Sequence, residues 1–305
     1  MNRIEFGNCM EIMQKWVDEG VKVNTCVTSP PYYGLRDYGV GGQLGLEETP
    51  KQYIDNMVKV FRSVRELLTD DGTLWVNIGD SYAMSSMRGK NSPFNSIDQS
   101  KQGIAHIDRN IPNNMKPKDL MGIPWMLAFA LRDDGWYLRQ DIIWHKPNPM
   151  PESVKDRCTK SHEYIFLLSK SPKYYFDNES IKEPSVHAGK IVKYNQSKYV
   201  DENGKKIKGY ETHVTKDTLV NDTRNKRDVW SVNVKPYKGA HFATFPMELI
   251  EPCIKAGCPD GGIVLDPFMG SGTTAQVAVI NNKQYLGCEL NPDYESLQQE
   301  RIPLI

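Results

Sequence analysis

Hydrophobic positions along the chain follow two periods, one typical of helices and one typical of buried strands. Between residues 51 and 68 the apolar side chains recur every three or four positions, as on one face of a helix: Ile54, Met57, Val58, Phe61, Val64, Leu67 and Leu68. Asp70-Asp71-Gly72 is expected to stop this helix. The continuous apolar run from 74 to 78 then predicts a buried strand.

The same periods recur along the rest of the chain. Further strands are expected at residues 3–6, 21–30, 137–144, 163–168, 262–265 and 284–289. Further helices are expected from about Cys9 and over residues 123–131, 245–256, 271–281 and 292–301. Strands that alternate with helices predict an α/β fold with a doubly wound, mostly parallel sheet.

Two polar stretches, residues 83–119 and 185–227, interrupt this alternation and are expected to be insertions at the rim of the sheet. The second stretch has ten Lys and Arg against five Asp and Glu. Basic side chains of this kind hold phosphates, although a solvated loop is an equally ordinary explanation of the charge. Candidate phosphate contacts are Arg88 in the first stretch and Lys205, Lys206, Arg224 and Arg227 in the second.

Composition narrows the class of protein. The 305 residues carry 38 basic and 38 acidic side chains, so the formal net charge of zero argues against a protein that coats nucleic acid by bulk charge. Six scattered cysteines without zinc-site spacing predict reduced thiols and no metal site. The start of the chain lacks the apolar core of a signal peptide, and no run is long enough for a membrane span. We therefore expect a cytoplasmic protein with no membrane partner.

The first chemical motif is DPFMGSGTT, residues 266–274, which follows a predicted strand and opens a predicted helix. A glycine-rich turn there lets a ligand approach the backbone and the free N–H groups of the helix start. The motif has neither the GxGxxG spacing nor the lysine of a phosphate-binding loop, so a nucleotide-like ligand without a triphosphate fits it better. Glu289 ends the next strand, where a carboxylate is placed to accept hydrogen bonds from ribose hydroxyls. A plain strand–turn–helix with a capped helix is the alternative.

The second chemical motif is TSPPY, residues 28–32, at the end of another predicted strand. Two prolines stiffen the backbone and leave carbonyl oxygens without competing N–H groups, and Tyr32 adds a flat ring beside them. Acceptors at one edge and an aromatic face suit a flipped-out base with an exocyclic amino group. Taken alone, the motif also fits a proline-rich turn capped by a core tyrosine.

Together the two motifs resemble those of the amino-group DNA methyltransferases in the permuted arrangement called the beta class. TSPPY is similar to the catalytic motif of that family, and DPFMGSGTT, which comes late in the chain, is similar to its cofactor motif. GNCMEIM at 7–13 resembles an early cofactor segment, with Asn8 where the family usually has Asp. HFATFP at 241–246 resembles a segment that covers the cofactor.

The resemblance implies S-adenosylmethionine as the cofactor, no metal, and a Rossmann-like methyltransferase fold. It implies a catalytic domain of residues 1–184 and 228–305 with a target-recognition insertion at 185–227. The basic residues of the stretch 83–119 make it a second candidate, as a DNA-clamp loop. The implied cofactor residues are Asn8, Thr28, His241, Phe242, Thr244, Asp266, Pro267, Phe268, Gly270, Ser271, Gly272, Thr273 and Glu289. Double-stranded DNA is the implied partner, with Arg36 near the target pocket, and the family admits a cognate restriction endonuclease and a homodimer.

The implied reaction is direct methyl transfer to an exocyclic nitrogen, with Ser29, Pro30, Pro31 and Tyr32 as the catalytic residues. Serine at the first position of the tetrapeptide is more usual for N4-cytosine enzymes, and Asp or Asn for N6-adenine enzymes. We therefore expect cytosine N4 as the target, with adenine N6 as the alternative. A protein or RNA methyltransferase and a DNA-binding protein with an inactive site are the other readings. Cys253 is expected to be a buried structural thiol in a helix rather than a nucleophile.

Overall fold

The computed structural model describes residues 1–35, 39–83, 115–192, 203, 218–235 and 245–302. These residues divide into two compact units, Met1–Asp177 with Asp228–Ile305 and Asn178–Arg227. The first unit contains both chemical motifs. The second begins seven residues before the predicted insertion and ends where it was expected to end.

The first unit is built on one large sheet. Its strands are β1 (Arg3–Phe6), β2 (Val23–Thr28), β3 (Leu68–Ile78), β4 (Tyr137–His145), β5 (His162–Ser169), β10 (Val229–Ser231), β11 (Ile263–Asp266) and β12 (Gln284–Glu289). Their order across the sheet is β1-β12-β11-β2-β3-β5-β4-β10. Every described pairing is parallel except the two made by β5, which runs antiparallel to β3 and β4. The predicted mostly parallel sheet is therefore confirmed.

Helices cover both faces of this sheet, as a doubly wound fold requires. They are α1 (Cys9–Asp18), α2 (Pro50–Leu67), α3 (Ile123–Asp133), α4 (Met247–Gly257), α5 (Thr273–Ile280) and α6 (Glu295–Arg301). The apolar sides of α1, α2 and α3 share one buried cluster with the sheet, whereas the buried residues of α4 and α5 lie outside that cluster and pack against each other. The predicted helices are all present, with ends that differ by a few residues.

Local sequence signals explain where α2 begins. Thr49 caps the helix by accepting from the backbone N–H of Gln52, and the Gln52 side chain accepts in return from the backbone of Thr49. Pro50 follows as the first helical residue, where its missing N–H costs nothing. Ile54, Met57, Phe61 and Val64 then face the core, as the period of the sequence predicts.

The stop signal at Asp70-Asp71-Gly72 was placed wrongly. The helix ends at Leu67, and these three residues lie inside β3 rather than in a turn before it. Backbone hydrogen bonds hold them there: Tyr175 donates to Asp71 and Lys170 donates to Gly72. Tertiary pairing with the chain after β5 therefore overrides the local turn preference of the sequence.

Two further features went unpredicted. The sheet gains an edge strand, β10, whose Trp230 is buried while its neighbours are exposed. The second unit contains two short antiparallel ribbons, β6 (Glu183–Pro184) with β9 (Thr223–Arg224) and β7 (Ile191–Val192) with β8 (Thr218–Leu219). Strands of two or three residues carry too little periodicity to be recognised from sequence.

Within the described ranges, none of the helices is both long and apolar enough to cross a bilayer.

Candidate active site

The order of the strands sets the position of the site. β2 and β11 are neighbours at the middle of the sheet, and the chain proceeds from them toward opposite edges, through β3 on one side and β12 on the other. Ligands of open α/β sheets bind at such a switch point, outside the carboxyl ends of the strands. TSPPY follows β2 and DPFMGSGTT follows β11, so the two motifs meet there although they lie far apart in the sequence.

A cavity of about 520 Å³ opens at this edge of the sheet. Its walls contain Ser29, Pro30, Pro31 and Tyr32 from the first motif, and Pro267, Phe268, Met269, Gly270, Ser271 and Thr273 from the second. Asn8 and Glu289, from the ends of β1 and β12, complete the side near the second motif. This volume lies within the range of small-molecule and cofactor sites.

Asp266 and Thr28 stand behind the cavity rather than in its wall. Asp266 is buried and accepts hydrogen bonds from Thr28 Oγ1 and Thr274 Oγ1, both at 2.6 Å, and from the backbone N–H of Phe268 at 3.0 Å. Burial raises the pKa of Asp266 to about 6, against the opposing effect of these donors. The carboxylate therefore ties the loop after β11 to the end of β2.

Glu289, unlike Asp266, lines the cavity. Its Oε2 accepts from the backbone N–H of Gly270 at 2.7 Å, and its Oε1 accepts from the backbone N–H of Asn291 at 2.8 Å. Burial raises its pKa above the ordinary value. Each oxygen of an ionised carboxylate can accept a second hydrogen bond, so the group can hold two adjacent hydroxyls of a ribose.

The glycine-rich loop after β11 is held in place by hydrogen bonds from α6. Gln298, which is buried, donates from Nε2 to the carbonyl of Gly270 at 2.7 Å, and Arg301 hydrogen-bonds the hydroxyl of Ser271. Gly272 has a φ of +84° and does not line the cavity. A Cβ there would lie 3.4 Å from Gln298, so the glycine permits both the turn and the close contact with α6.

Asn8, predicted as a cofactor residue, has a side chain that is already hydrogen-bonded within the protein. Its side chain accepts from the backbone N–H of Met10 at 2.9 Å and caps α1, while the residue also lines the cavity. An asparagine is as effective a helix cap as an aspartate, which explains locally why Asn8 is tolerated at this position.

The residues lining this part of the cavity fit S-adenosylmethionine. A carboxylate at the tip of β12 suits the ribose, the loop backbone and the start of α5 offer polar groups, and Pro267, Phe268, Phe245 and Leu290 supply apolar surface for a purine. The described residues contain no group of three or more His, Cys, Asp or Glu placed to hold a metal ion.

Tyr32 is anchored by a residue that the sequence did not single out. Its hydroxyl donates to Glu163 Oε2 at 2.7 Å and lies 3.4 Å from Asn77 Oδ1. Burial and the charge of Glu163 raise the pKa of Tyr32 well above its ordinary value, while a hydrogen bond with Ser29 opposes them. Tyr32 is thus a neutral donor whose ring is fixed in the cavity wall.

Glu163 reaches the cavity because β5 runs antiparallel. Its first residues lie at the same edge as the last residues of β3 and β4, so Glu163, Asn77, Trp144 and Lys146 all line the cavity. Lys146 forms an ion pair with Glu163 Oε1. The pairing of Lys146 with Glu163 depends on strand direction, which the sequence pattern does not reveal.

Some of the predicted site residues cannot be placed relative to the cavity, and others have a structural role elsewhere. Arg36, Arg88, Lys205, Lys206, His241, Phe242 and Thr244 lie outside the described residues. Arg224 and Arg227, in the second unit, both pair with Glu183 Oε1, at 2.9 and 2.8 Å. Cys253 is buried within α4 and its thiol contacts the carbonyl of Leu249, so it has the structural position expected of it.

Comparison with known proteins identifies the family. The family model described as DNA methylase matches residues 23–300. The chain is 49% identical to the Type II methyltransferase M.SmaI of Serratia marcescens over 90% of this chain and 82% of that protein. It is 46% identical to the Type II methyltransferase M.Cfr9I of Citrobacter freundii over 97% of this chain and 86% of that protein.

Solved structures share the fold at low sequence identity. The PvuII DNA methyltransferase, described as cytosine-N4-specific, aligns with a TM-score of 0.63 and 16% identity over 99% of this chain and 86% of that chain. The two motifs meet at the switch point of a doubly wound sheet, and the match to the family extends over most of the chain. The chain therefore belongs to the DNA methylase family of S-adenosylmethionine-dependent, N4/N6 amino-group methyltransferases.

Proposed function

We propose that this protein is a Type II DNA methyltransferase that methylates the exocyclic N4 of cytosine in double-stranded DNA. The observation that carries the proposal is the shared cavity, in which Ser29, Pro30 and Tyr32 face a second wall formed by Gly270, Ser271 and Glu289. Relatives with almost half of their residues identical are named Type II methyltransferases, which supports action on DNA. The serine at the head of the tetrapeptide supports cytosine over adenine.

Residues of this chain hold and orient the two reactants. S-Adenosylmethionine, when bound, supplies its methyl group as an electrophile on a sulfonium. Glu289 and the loop 267–273 would hold it, with Asp266 fixing the loop from behind. The target nitrogen is a poor nucleophile because its lone pair is delocalised into the base. Alignment of the reacting groups at near-attack distance supplies much of the reduction in barrier.

The first motif activates the nitrogen. The hydroxyl of Ser29 and the carbonyl of Pro30 accept hydrogen bonds from its two N–H groups, which favours a tetrahedral nitrogen with its lone pair free to attack. The methylated nitrogen then loses one proton to water. The same acceptors stabilise the positive charge that develops on the nitrogen. Tyr32 stacks on the extruded base and offsets the few kcal/mol that unstacking costs, a general estimate for flipped bases.

The direct test is the identity of the product. Duplex DNA incubated with the protein and S-adenosylmethionine is digested to nucleosides and analysed by mass spectrometry. N4-Methylcytosine is the expected product, and a Ser29→Ala variant should form far less of it. N6-Methyladenine as the sole product would contradict the cytosine assignment while retaining the amino-group chemistry.

A second measurement distinguishes the other classes of function. Transfer of a tritiated methyl group is compared on DNA, RNA and protein extract, and DNA is the expected acceptor. Labelled RNA or protein without labelled DNA would replace the proposed substrate. Binding of S-adenosylmethionine without transfer to any acceptor would indicate a DNA-binding protein with an inactive site.

The proposed partners follow from the Type II assignment. An endonuclease that cuts the same sequence, and that methylation blocks, is the expected companion of such an enzyme. Digestion of methylated and unmethylated DNA by candidate endonucleases tests this. The family includes both monomers and homodimers, and sedimentation velocity on the purified protein, with and without DNA, distinguishes the two states.

A further inference from the structure

One wall of the cavity carries a charged pair that the methyl-transfer chemistry does not use. Lys146 and Glu163 lie at the ends of β4 and β5 that face the cavity. In the sequence they lie between the two motifs, and they line the same cavity as Ser29 and Tyr32. Both side chains are less than one-fifth exposed, at 18% for Lys146 and 16% for Glu163. Charged groups with this little exposure carry a desolvation cost, which their mutual attraction and their hydrogen bonds have to offset.

Glu163 is fully engaged with its neighbours. One carboxylate oxygen, Oε2, accepts from the hydroxyl of Tyr32 at 2.7 Å and lies 3.4 Å from Asn77 Nδ2. The other oxygen, Oε1, is paired with Lys146. The carboxylate therefore fixes both the ring that stacks on the base and the ammonium beside it.

Lys146 has donors left over. An ammonium has three N–H groups, and within the described part of the chain its side chain donates to Glu163 alone. Its Nζ lies 4.3 Å from the centroid of the Trp144 ring, which holds the cation in place without using a hydrogen. Lys146 lines the same cavity as Ser29 and Pro30, whose hydroxyl and carbonyl oxygens can accept hydrogen bonds from a base.

The edge of cytosine matches this arrangement. Its amino group, ring nitrogen N3 and carbonyl oxygen O2 lie side by side, as one donor followed by two acceptors. Adenine has its amino group and ring nitrogen N1 in the same relation but a C–H in place of the carbonyl. We propose that Lys146 donates a hydrogen bond to O2 of the flipped cytosine, and so is the residue that selects cytosine over adenine. This inference rests on the proposed N4-cytosine function.

Discrimination by such a donor is strong because the wrong base leaves it unpaired. A site built to hydrogen-bond one substrate rejects an analogue that lacks the partner, since its buried polar group then stays unsatisfied. A hydrogen bond from a charged donor corresponds to a change of about 10-fold to 100-fold in kcat/KM.

The experiment combines a change in the protein with a change in one atom of the base. Single-turnover methylation is measured on two duplexes, one with cytosine and one with 2-thiocytosine at the target, because sulfur is a weak acceptor. The unmodified protein should lose about 10-fold to 100-fold in rate on the thio base. Lys146→Met should lose about as much on cytosine and show no further loss on the thio base.

Two further variants keep the result interpretable. The first is the double variant Lys146→Met/Glu163→Gln, which is used if Lys146→Met alone disturbs the fold. It leaves no unpaired carboxylate, and the oxygen of the glutamine can still accept a hydrogen bond from Tyr32. Lys170→Met removes a lysine of similar exposure, 22%, which pairs with Asp70 at the opposite end of β5. This control should discriminate between the two duplexes as the unmodified protein does.

The outcomes separate this inference from the proposed function. The unmodified protein could yield N4-methylcytosine while the rate losses caused by Lys146→Met and by the thio base multiply in the variant. In that case Lys146 does not contact O2, and only this inference is contradicted. If the product is N6-methyladenine, the proposed function fails, and the inference fails with it. Equal rates on both duplexes for the unmodified protein would also overturn the inference, because no donor then reads O2.

Discussion

Thr28 Oγ1 donates a hydrogen bond of 2.6 Å to Asp266 Oδ1, and so joins two residues that are 238 positions apart in the sequence. Each residue ends a strand, and the motif that follows each strand forms one wall of the cavity. The bond is buried, so it is shielded from competing water. It holds together the catalytic and the cofactor side of the site.

Asp266 gives the fold a measurable dependence on pH. Its pKa in the folded protein is about 6, compared with about 3.9 for an ordinary aspartate. The folded state therefore binds this proton more tightly than the unfolded chain does. Its contribution to the free energy of unfolding falls as the pH rises from about 4 to about 6, by about 3 kcal/mol in total.

An Asp266→Asn variant removes this titration while its side-chain oxygen still accepts a hydrogen bond. Urea unfolding of both proteins between pH 4.5 and 7.5 measures the difference between their free energies of unfolding. We expect the free energy of unfolding of the variant to increase relative to that of the unmodified protein as the pH rises to about 6. Above pH 6 the difference between the two proteins should stay constant. The comparison cancels other titrating groups such as Glu289, and a difference independent of pH would contradict the assignment.

Gln298 supports the cofactor loop through its hydrogen bond to the carbonyl of Gly270. Gln298→Ala should raise the KM for S-adenosylmethionine about 5-fold, the usual effect of one lost hydrogen bond, with little change in DNA affinity. Gln299→Ala is the matched control, because Gln299 is exposed and bonds only to Glu295 of its own helix among the described contacts. An equal effect of both changes would show that α6 acts only through general stability.

Gly79 leaves room for the ring of Tyr32. A Cβ at this position would lie 2.8 Å from Cε2 of Tyr32, closer than such atoms approach, and 3.2 Å from the side chain of Glu163, which is a tight contact. Gly79→Ala should therefore displace the ring and lower kcat about 100-fold, since misplacement by about 1 Å has effects of that order. Binding of S-adenosylmethionine, measured by calorimetry, should not change.

The control for this prediction is Gly41→Ala. A Cβ at Gly41 meets nothing within 4 Å, and its backbone does not have a positive φ. Its kcat should match that of the unmodified protein. If Gly79→Ala retains full kcat, the position of the Tyr32 ring is not important for catalysis.

Arg227 and Arg224 share one carboxylate but differ in exposure. The Arg227 side chain is 66% exposed, whereas Arg224 is 32% exposed and lies opposite Glu183 in the ladder of β6 and β9. We expect Arg227→Ala to weaken DNA binding on all sequences and to reduce the slope of log affinity against log salt by about 1. Fluorescence anisotropy over a salt series measures both quantities.

Arg224→Ala serves as the comparison. It should instead loosen the ribbon of β6 and β9, which hydrogen exchange within Asn178–Arg227 detects. An unchanged salt slope for Arg227→Ala would remove this residue from the proposed DNA contacts.

The class of fold and the two motifs can be read from the amino-acid sequence, because both depend on local signals. The hydrophobic period identified α2 and β11. The prolines of TSPPY and the glycines of DPFMGSGTT mark the turns that follow β2 and β11. The order of the two motifs, together with the resemblance, indicated the family. Very short elements such as β10 carried no such signal.

Which side chains meet in the cavity depends on the tertiary structure. The sequence named Asp266 as a cofactor residue, but burial and three internal donors make it the link between two loops. It did not single out Glu163, because that residue reaches the cavity only through the reversed direction of β5. Strand direction and strand neighbours arise from contacts between distant segments, and the hydrophobic period of a single segment contains no information about them.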